Sequence, residues 1–186
     1  MQRFYAWRFL NRLSYYPTMI SAAAQQNDGR EEFLNDFRQT IELSLPRLLE
    51  ISETKSGIPR SEGKWSPKEI IGHLIDSAGN NHQRFVRAQF TDELVFAGYQ
   101  QEEWIQAQHY QDEPWNALVQ LWQSYNQHLL HVITMAPEET RTKLRYKHNL
   151  HQIASDQISE NEPVTLEFFM RDYLDHMKKH LKQILG

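Results

Sequence analysis

The sequence predicts an all-α protein, a four-helix bundle with a long crossover connection. Three observations carry this. Apolar residues recur three or four apart across 30–54, 66–91, 113–135 and 165–185, the period of helices that bury one face. Glycine and proline number only 7 each, too few for a turn-rich β architecture. The intervening stretches, 92–112 and 136–164, are too long for simple hairpins, so at least one connection crosses the bundle.

Residues 1–24 carry Arg3, Arg8 and Arg12 and no acidic residue, together with Phe4, Trp7, Phe9, Leu10 and Leu13. Arg8, Asn11 and Arg12 interrupt every apolar run, so a secretory core of about 7–15 residues is missing. The segment reads as an N-terminal extension, 1–29, whose aromatics pack on a domain spanning 30–186. A surface anchor, or a true start at Met19, are the other readings. The first bundle helix aligns Phe33, Phe37, Ile41, Leu45 and Leu48, and Gly57-Ile58-Pro59 ends the element. The second has the strongest start signal: Ser66 as N-cap, Pro67 at the first position and Glu69 completing a capping box, with Trp65 able to pack on Ile70. It buries Ile70, Ile71, Leu74, Ala78, Phe85 and Val86. Between 92 and 112, Tyr99 and Trp104 read as anchors around a short helix at 99–107. Asp112 and Pro114 open the third helix, which carries Trp115, Leu118, Val119, Trp122, Tyr125, Leu129 and Val132, and Pro137 closes it. Residues 138–162 form a crossover with at most a brief strand or helical turn. Thr165 opens the last helix, which packs Leu166, Phe169, Met170, Tyr173, Leu174, Met177, Leu181 and Ile184.

A chain of 186 residues is one domain in size. It has 0 Cys, which excludes disulfides, thiolate metal ligands and a cysteine nucleophile. Net charge is −4, so a globally basic nucleic-acid surface is absent. Mean hydropathy is −0.70 and no apolar run is long enough to span a bilayer. These observations point to the cytoplasm.

The 9 histidines are the notable polar feature. His176 and His180 lie one turn apart on the core side of the last helix, in line with Phe169, Tyr173 and Ile184. Two neutral imidazoles so placed can chelate a divalent ion, given a third ligand from elsewhere. His73, near the rigid start of the second helix, is the obvious donor, but His82, His128 and His131 also sit in helices, and spacing does not choose among them. The alternative is that these are ordinary hydrogen-bonded core or rim histidines. Asp76 and Asp172, three and four residues from His73 and His176, are candidates to orient an imidazole or to act as general base; otherwise they are solvated surface. Arg84 and Arg87 border a pocket mouth or are surface; Tyr125 and Tyr173 line it or are core. His109, His148 and His151 read as loop residues without partners.

The run Lys64-Trp65-Ser66-Pro67-Lys68-Glu69-Ile70-Ile71-Gly72-His73-Leu74 resembles the first motif of the DinB/YfiT-like superfamily, and Leu166–Ile184, centred on Asp172-Tyr173-Leu174-Asp175-His176-Met177-Lys178-Lys179-His180, resembles the second. The likeness covers about residues 30–185. It implies a bundle with a long crossover and a divalent metal on His73, His176 and His180, and three imidazoles suit zinc, nickel or a similar ion. It also implies a small-molecule substrate, frequent homodimers, and either transfer of a low-molecular-weight thiol or hydrolysis by activated water. One departure is Lys179, where many relatives carry a further histidine; it leaves the His-x-x-x-His spacing intact and bears on the substrate. The rival readings are a non-catalytic metal-binding or stress-associated bundle, and a helical interaction module without metal.

Overall fold

The computed structural model describes residues 16–186. The chain divides after Asp36 into two units; of the first, residues 16–36 are described, and they are helical throughout. The expected packing of Phe4, Trp7, Phe9, Leu10 and Leu13, and the Met19 start, lie outside the described residues.

The elements are α1 (Tyr16–Leu49), α2 (Glu53–Ser56), α3 (Pro67–Arg87), α4 (Gln101–Gln108), α5 (Trp115–Met135), α6 (Glu138–Thr142), α7 (Leu150–Ile153) and α8 (Leu166–Leu185), with a 3-10 turn at Tyr110–Asp112. Helices α1, α3, α5 and α8 form the bundle, and among the described residues β structure is limited to two isolated bridges, Leu94 with His148 and Arg145 with Val164. The fold is therefore all-α, as the helical periodicity requires.

α1 starts earlier and ends sooner than its apolar stripe suggests. Pro46 lies inside its last turn, where it removes one backbone donor. Beyond Leu49 the chain restarts as α2, because the Ser52 hydroxyl accepts the Lys55 N–H and caps a new turn. The start of α3 holds the full capping box: Glu69 N–H donates to Ser66 Oγ, and Ser66 N–H donates to the Glu69 carboxylate at 2.7 Å. Gln111 adds a bond to Ser66 Oγ at 2.7 Å, and Lys68 Nζ donates to the Gln111 carbonyl at 3.0 Å. The stretch after α4 thus clamps the first turn of α3.

Asp112 does not cap α5. Pro114 occupies the N-cap position without a side-chain bond, and the Trp115 N–H donates instead to Glu53 of α2 at 2.8 Å. Trp104, expected as an anchor, is 40% exposed and lies against Tyr99. The buried anchors of this stretch are Leu94, Ile105 and Tyr110. The Tyr110 ring lies against Gly72, where an added Cβ would stand 2.1 Å from Tyr110 Cδ2. Glycine is required there by proximity.

Within Phe37–Gly186 a group of aromatic rings interlocks inside a largely aliphatic core. Phe37 stacks on Tyr173, Phe85 meets Phe169 and Tyr173 edge-on, and the Tyr173 hydroxyl donates to Asn126 at 2.6 Å. The crossover from 136 to 164 is pinned by polar contacts. Buried Arg145 donates to the Thr140, Lys143 and Ala88 carbonyls, and Asn149 exchanges two bonds with the Phe96 backbone. These bonds satisfy backbone groups that a packed loop would otherwise strand. Thr165 then caps α8 by accepting the Phe168 N–H at 3.0 Å.

Candidate metal centre

His73 lies two turns into α3, behind the capping box, and His176 and His180 lie one turn apart on α8. The three ring centroids are 5.2, 4.7 and 4.6 Å apart, and one nitrogen of each ring lies within 4.8 Å of one nitrogen of both others. His73 Nε2 and His176 Nε2 are 3.2 Å apart. Two nitrogens bound at about 2.0–2.1 Å with tetrahedral angles sit roughly 3.3–3.4 Å apart, so this pair already has the spacing of two ligands to one ion. Trp65 covers the cluster, its ring 5.2 Å from His73 and 6.4 Å from His180.

The environment keeps the imidazoles neutral, the form that binds metals. Burial, then the proximity of His176 and His180, pushes the His73 pKa down to about 3. Burial and the neighbouring His180 and Lys179 push His176 down to about 4. Burial lowers His180 as well, opposed by Gln183. Gln183 Oε1 lies 3.2 Å from His180 Nδ1; with Nδ1 as the donor, the Nε2 lone pair is free for an ion, the second contact usual for ligating histidines. His73 Nδ1 is buried with no hydrogen-bond partner, so this ring is fixed by packing against Trp65. A set of three nitrogens with no carboxylate fits zinc, nickel or copper rather than magnesium or calcium.

The other sequence candidates take different places. The Asp76 carboxylate accepts Gln108 Nε2 at 2.6 Å and Tyr110 Oη at 2.8 Å, with its second oxygen buried and unpartnered. Burial pushes its pKa up. Asp172 accepts the Ser155 and Asp156 backbone amides at 3.0 and 2.8 Å and so ties the crossover to α8; its pKa is also raised by burial. Neither carboxylate hydrogen-bonds a histidine of the cluster among the described residues. His82 and His128 form a separate pair with rings 5.0 Å apart, and His131 lies 6.4 Å from His128. His148 has a partner after all: it is buried, with Nε2 2.8 Å from the Glu162 carbonyl oxygen.

Two clefts open along α3, and only the smaller is lined by a histidine of the cluster. The smaller, about 200 Å³, is bordered by His176, Tyr173, Asp172 and Arg84. The larger, about 660 Å³, is bordered by Asp76, Arg84, Arg87, Trp104 and Tyr125. Arg84 therefore belongs to the interior of both clefts, and the exposed Arg87 is at the mouth of the larger. Trp65 and Gln183 went unread in the sequence as parts of the centre. Gln183 lies three residues beyond His180, a helical neighbour, and that spacing could have found it; Trp65 gave no signal beyond its place before the cap.

The profile of the DinB superfamily matches residues 15–184. Among solved structures, the chain is similar to YfiT from Bacillus subtilis, described as a probable metal-dependent hydrolase with an unusual four-helix bundle topology, at 16% identity and TM-score 0.66, covering 83% of this chain and 82% of that one. It is also similar to the mycothiol-dependent maleylpyruvate isomerase, at 16% identity and TM-score 0.62, covering 84% of this chain and 60% of that one. The chain thus spans less than two thirds of the isomerase. No curated protein sequence matches significantly. At these identities the likeness is one of fold. Among the described residues no helix is long and apolar enough to cross a membrane.

Proposed function

The chain belongs to the DinB superfamily, and from that premise we propose that it is a divalent-metal-dependent enzyme acting on a small molecule in the cleft beside His176. The observation that carries the proposal is the convergence of His73, His176 and His180 from two helices, all held neutral, at a spacing that suits one ion. His73, His176 and His180 would hold the ion. When bound, the ion supplies Lewis acidity, favouring the ionised form of water or of a thiol brought against it. Because the chain has 0 Cys, the thiol of a transfer reaction must be an external low-molecular-weight one. With water as nucleophile the same ligands serve a hydrolase.

The cleft against His176 favours an enzyme over a non-catalytic metal-binding bundle, which needs no such space. Asp76, which lines the larger cleft rather than the one beside His176, is the proposed base or orienting group. Its raised pKa and unpartnered oxygen suit a group that gains or loses a proton, acting through a reoriented side chain or a bridging water. Asp172, with both oxygens engaged by amides, is proposed to hold the crossover wall of the site. A homodimer and a cytoplasmic location belong to the same proposal, and light scattering and fractionation test them.

The decisive measurement is metal content in protein never exposed to chelator. About one divalent ion per chain is expected, lost in His176→Ala. Metal-free native protein, or a His176→Ala variant with unchanged content, would refute the proposal. A screen pairing thiols with electrophiles, beside ester and amide substrates, then separates transfer from hydrolysis.

A further inference from the structure

α3 carries a line of buried polar side chains that leads away from the histidine centre. His73, Ser77, Asn81 and Arg84 follow at intervals of four, four and three, so they share one helix face. Their exposures are 0%, 3%, 7% and 6%. Ser77, Asn81 and Arg84 line the same small cleft as His176 and Tyr173 of α8. That cleft connects the centre with Arg84.

Arg84 is a buried guanidinium without a carboxylate. Among the described residues it donates only to neutral oxygens, the Ala97 carbonyl at 2.9 Å and Asn81 Oδ1 at 3.4 Å. Of the two other buried arginines in Phe37–Gly186, Arg141 pairs with Glu167, whereas Arg145, which like Arg84 donates to neutral oxygens, lines neither cleft. Burying an uncompensated cation is strongly unfavourable. A protein that keeps one beside a cleft gains from it only when an anion arrives.

We propose that Arg84 is a specificity-determining residue that binds a carboxylate of the substrate and so selects small organic acids. The proposal rests on the metal-enzyme reading for what happens at the other end of the molecule. A carboxylate suits the site better than a phosphate does. Arg84 is the one lysine or arginine lining the small cleft, which also holds the Asp172 carboxylate, so a group with one negative charge, such as one end of a dicarboxylate, is matched there and a doubly charged phosphate group is not. The planar guanidinium fork can pair with both carboxylate oxygens at once. Spacing sets the length of the substrate. The eleven residues from His73 to Arg84 cover about 16 Å of helix. A long helical side chain leans back towards the N-terminus, leaving roughly 10 Å between the guanidinium and the centre. The reacting group should therefore lie several bonds from the carboxylate.

The test uses the full chain as purified and follows arginine Nε–H signals by NMR while succinate is added, with succinamide as the neutral control and inorganic phosphate as competitor. The signal missing in R84Q should shift saturably with succinate and stay fixed with succinamide. R84K should bind succinate about tenfold or more weakly, since the fork is lost. R84Q should unfold at a urea concentration no lower than the native protein, because the uncompensated charge has gone; a merely structural arginine would instead destabilise on removal. Absence of a saturable shift, an equal response to succinamide, or tighter binding of phosphate than of succinate overturns the proposal. Metal content measured on the same samples separates the two readings. Normal metal with no succinate response sinks only the role of Arg84; absent metal with an intact succinate response sinks the enzyme reading and leaves the anion site standing.

Discussion

Replacing Gly72 by alanine sets two opposing effects against each other within one helix. In a helix interior the change is normally favourable by about 1 kcal/mol. Here the new Cβ would lie 2.1, 2.4 and 2.5 Å from Cδ2, Cγ and Cε2 of Tyr110, against a comfortable carbon separation of about 3.5–4.0 Å. The ring must retreat by more than about 1 Å, and Tyr110 is buried and bonded to Asp76 at 2.8 Å. Overpacking costs about 1–3 kcal/mol, and loss of a hydrogen bond to a charged acceptor costs about 1.5–3 kcal/mol. The clash wins, with a net destabilisation of about 2–4 kcal/mol. Gly79, three and a half turns into the same helix, is the control: its added Cβ meets Tyr125 Oη at 3.4 Å, an ordinary contact, so Gly79→Ala should stabilise by about 0.5–1 kcal/mol. Urea unfolding of both variants reads the difference as a change in midpoint at constant slope. A Gly72→Ala variant as stable as the native protein, or a pair shifting in the same direction, would refute the reasoning.

Ser66→Ala removes the N-cap acceptor of α3 and the partner of Gln111; a loss of about 1 kcal/mol is expected in urea unfolding, with metal affinity falling as His73 loosens. Asp172→Asn leaves one of the Ser155 and Asp156 amides facing a donor instead of an acceptor, so hydrogen exchange and limited proteolysis should quicken at 154–163 while α5 stays protected. The pH dependence of the metal-free protein has a definite sign. His73 and His176 have folded pKa values of about 3 and about 4, below the ordinary 6.5, so between these limits the unfolded chain binds more protons than the folded one. Their contribution to stability is complete above about 6.5 and is lost as pH falls towards 4 and 3; urea midpoints measured across that range should fall with pH, and a flat profile would count against burial of the two rings.

What was legible in the sequence was local. The Ser66-Pro67-Glu69 start of α3 and the Thr165 start of α8 are written in a few adjacent residues, and both hold in the structure. The pairing of His176 with His180 follows from helical pitch alone. Choosing His73 over His82, His128 and His131 depends on how two helices 103 residues apart are set against each other, and only the motif resemblance supplied that. The α5 start differs from the Asp112 cap that its local sequence suggests because its donor is satisfied by Glu53, 62 residues away. Nothing local marks Tyr110, whose burial depends on the missing side chain of Gly72. Arg84 reads as a rim arginine until the 92–112 stretch brings the Ala97 carbonyl over it.

The position of the histidines has a mechanical side. A chain with 0 Cys lacks covalent staples, yet an ion shared by His73 and His176 would close a loop of 103 residues and act as a reversible crosslink between α3 and α8. In the chain-entropy picture a closure of that length restricts the unfolded ensemble by about 4–5 kcal/mol. Thermal tolerance should then track the free ion concentration, so that metal supply would govern how long the molecule survives as well as the proposed activity.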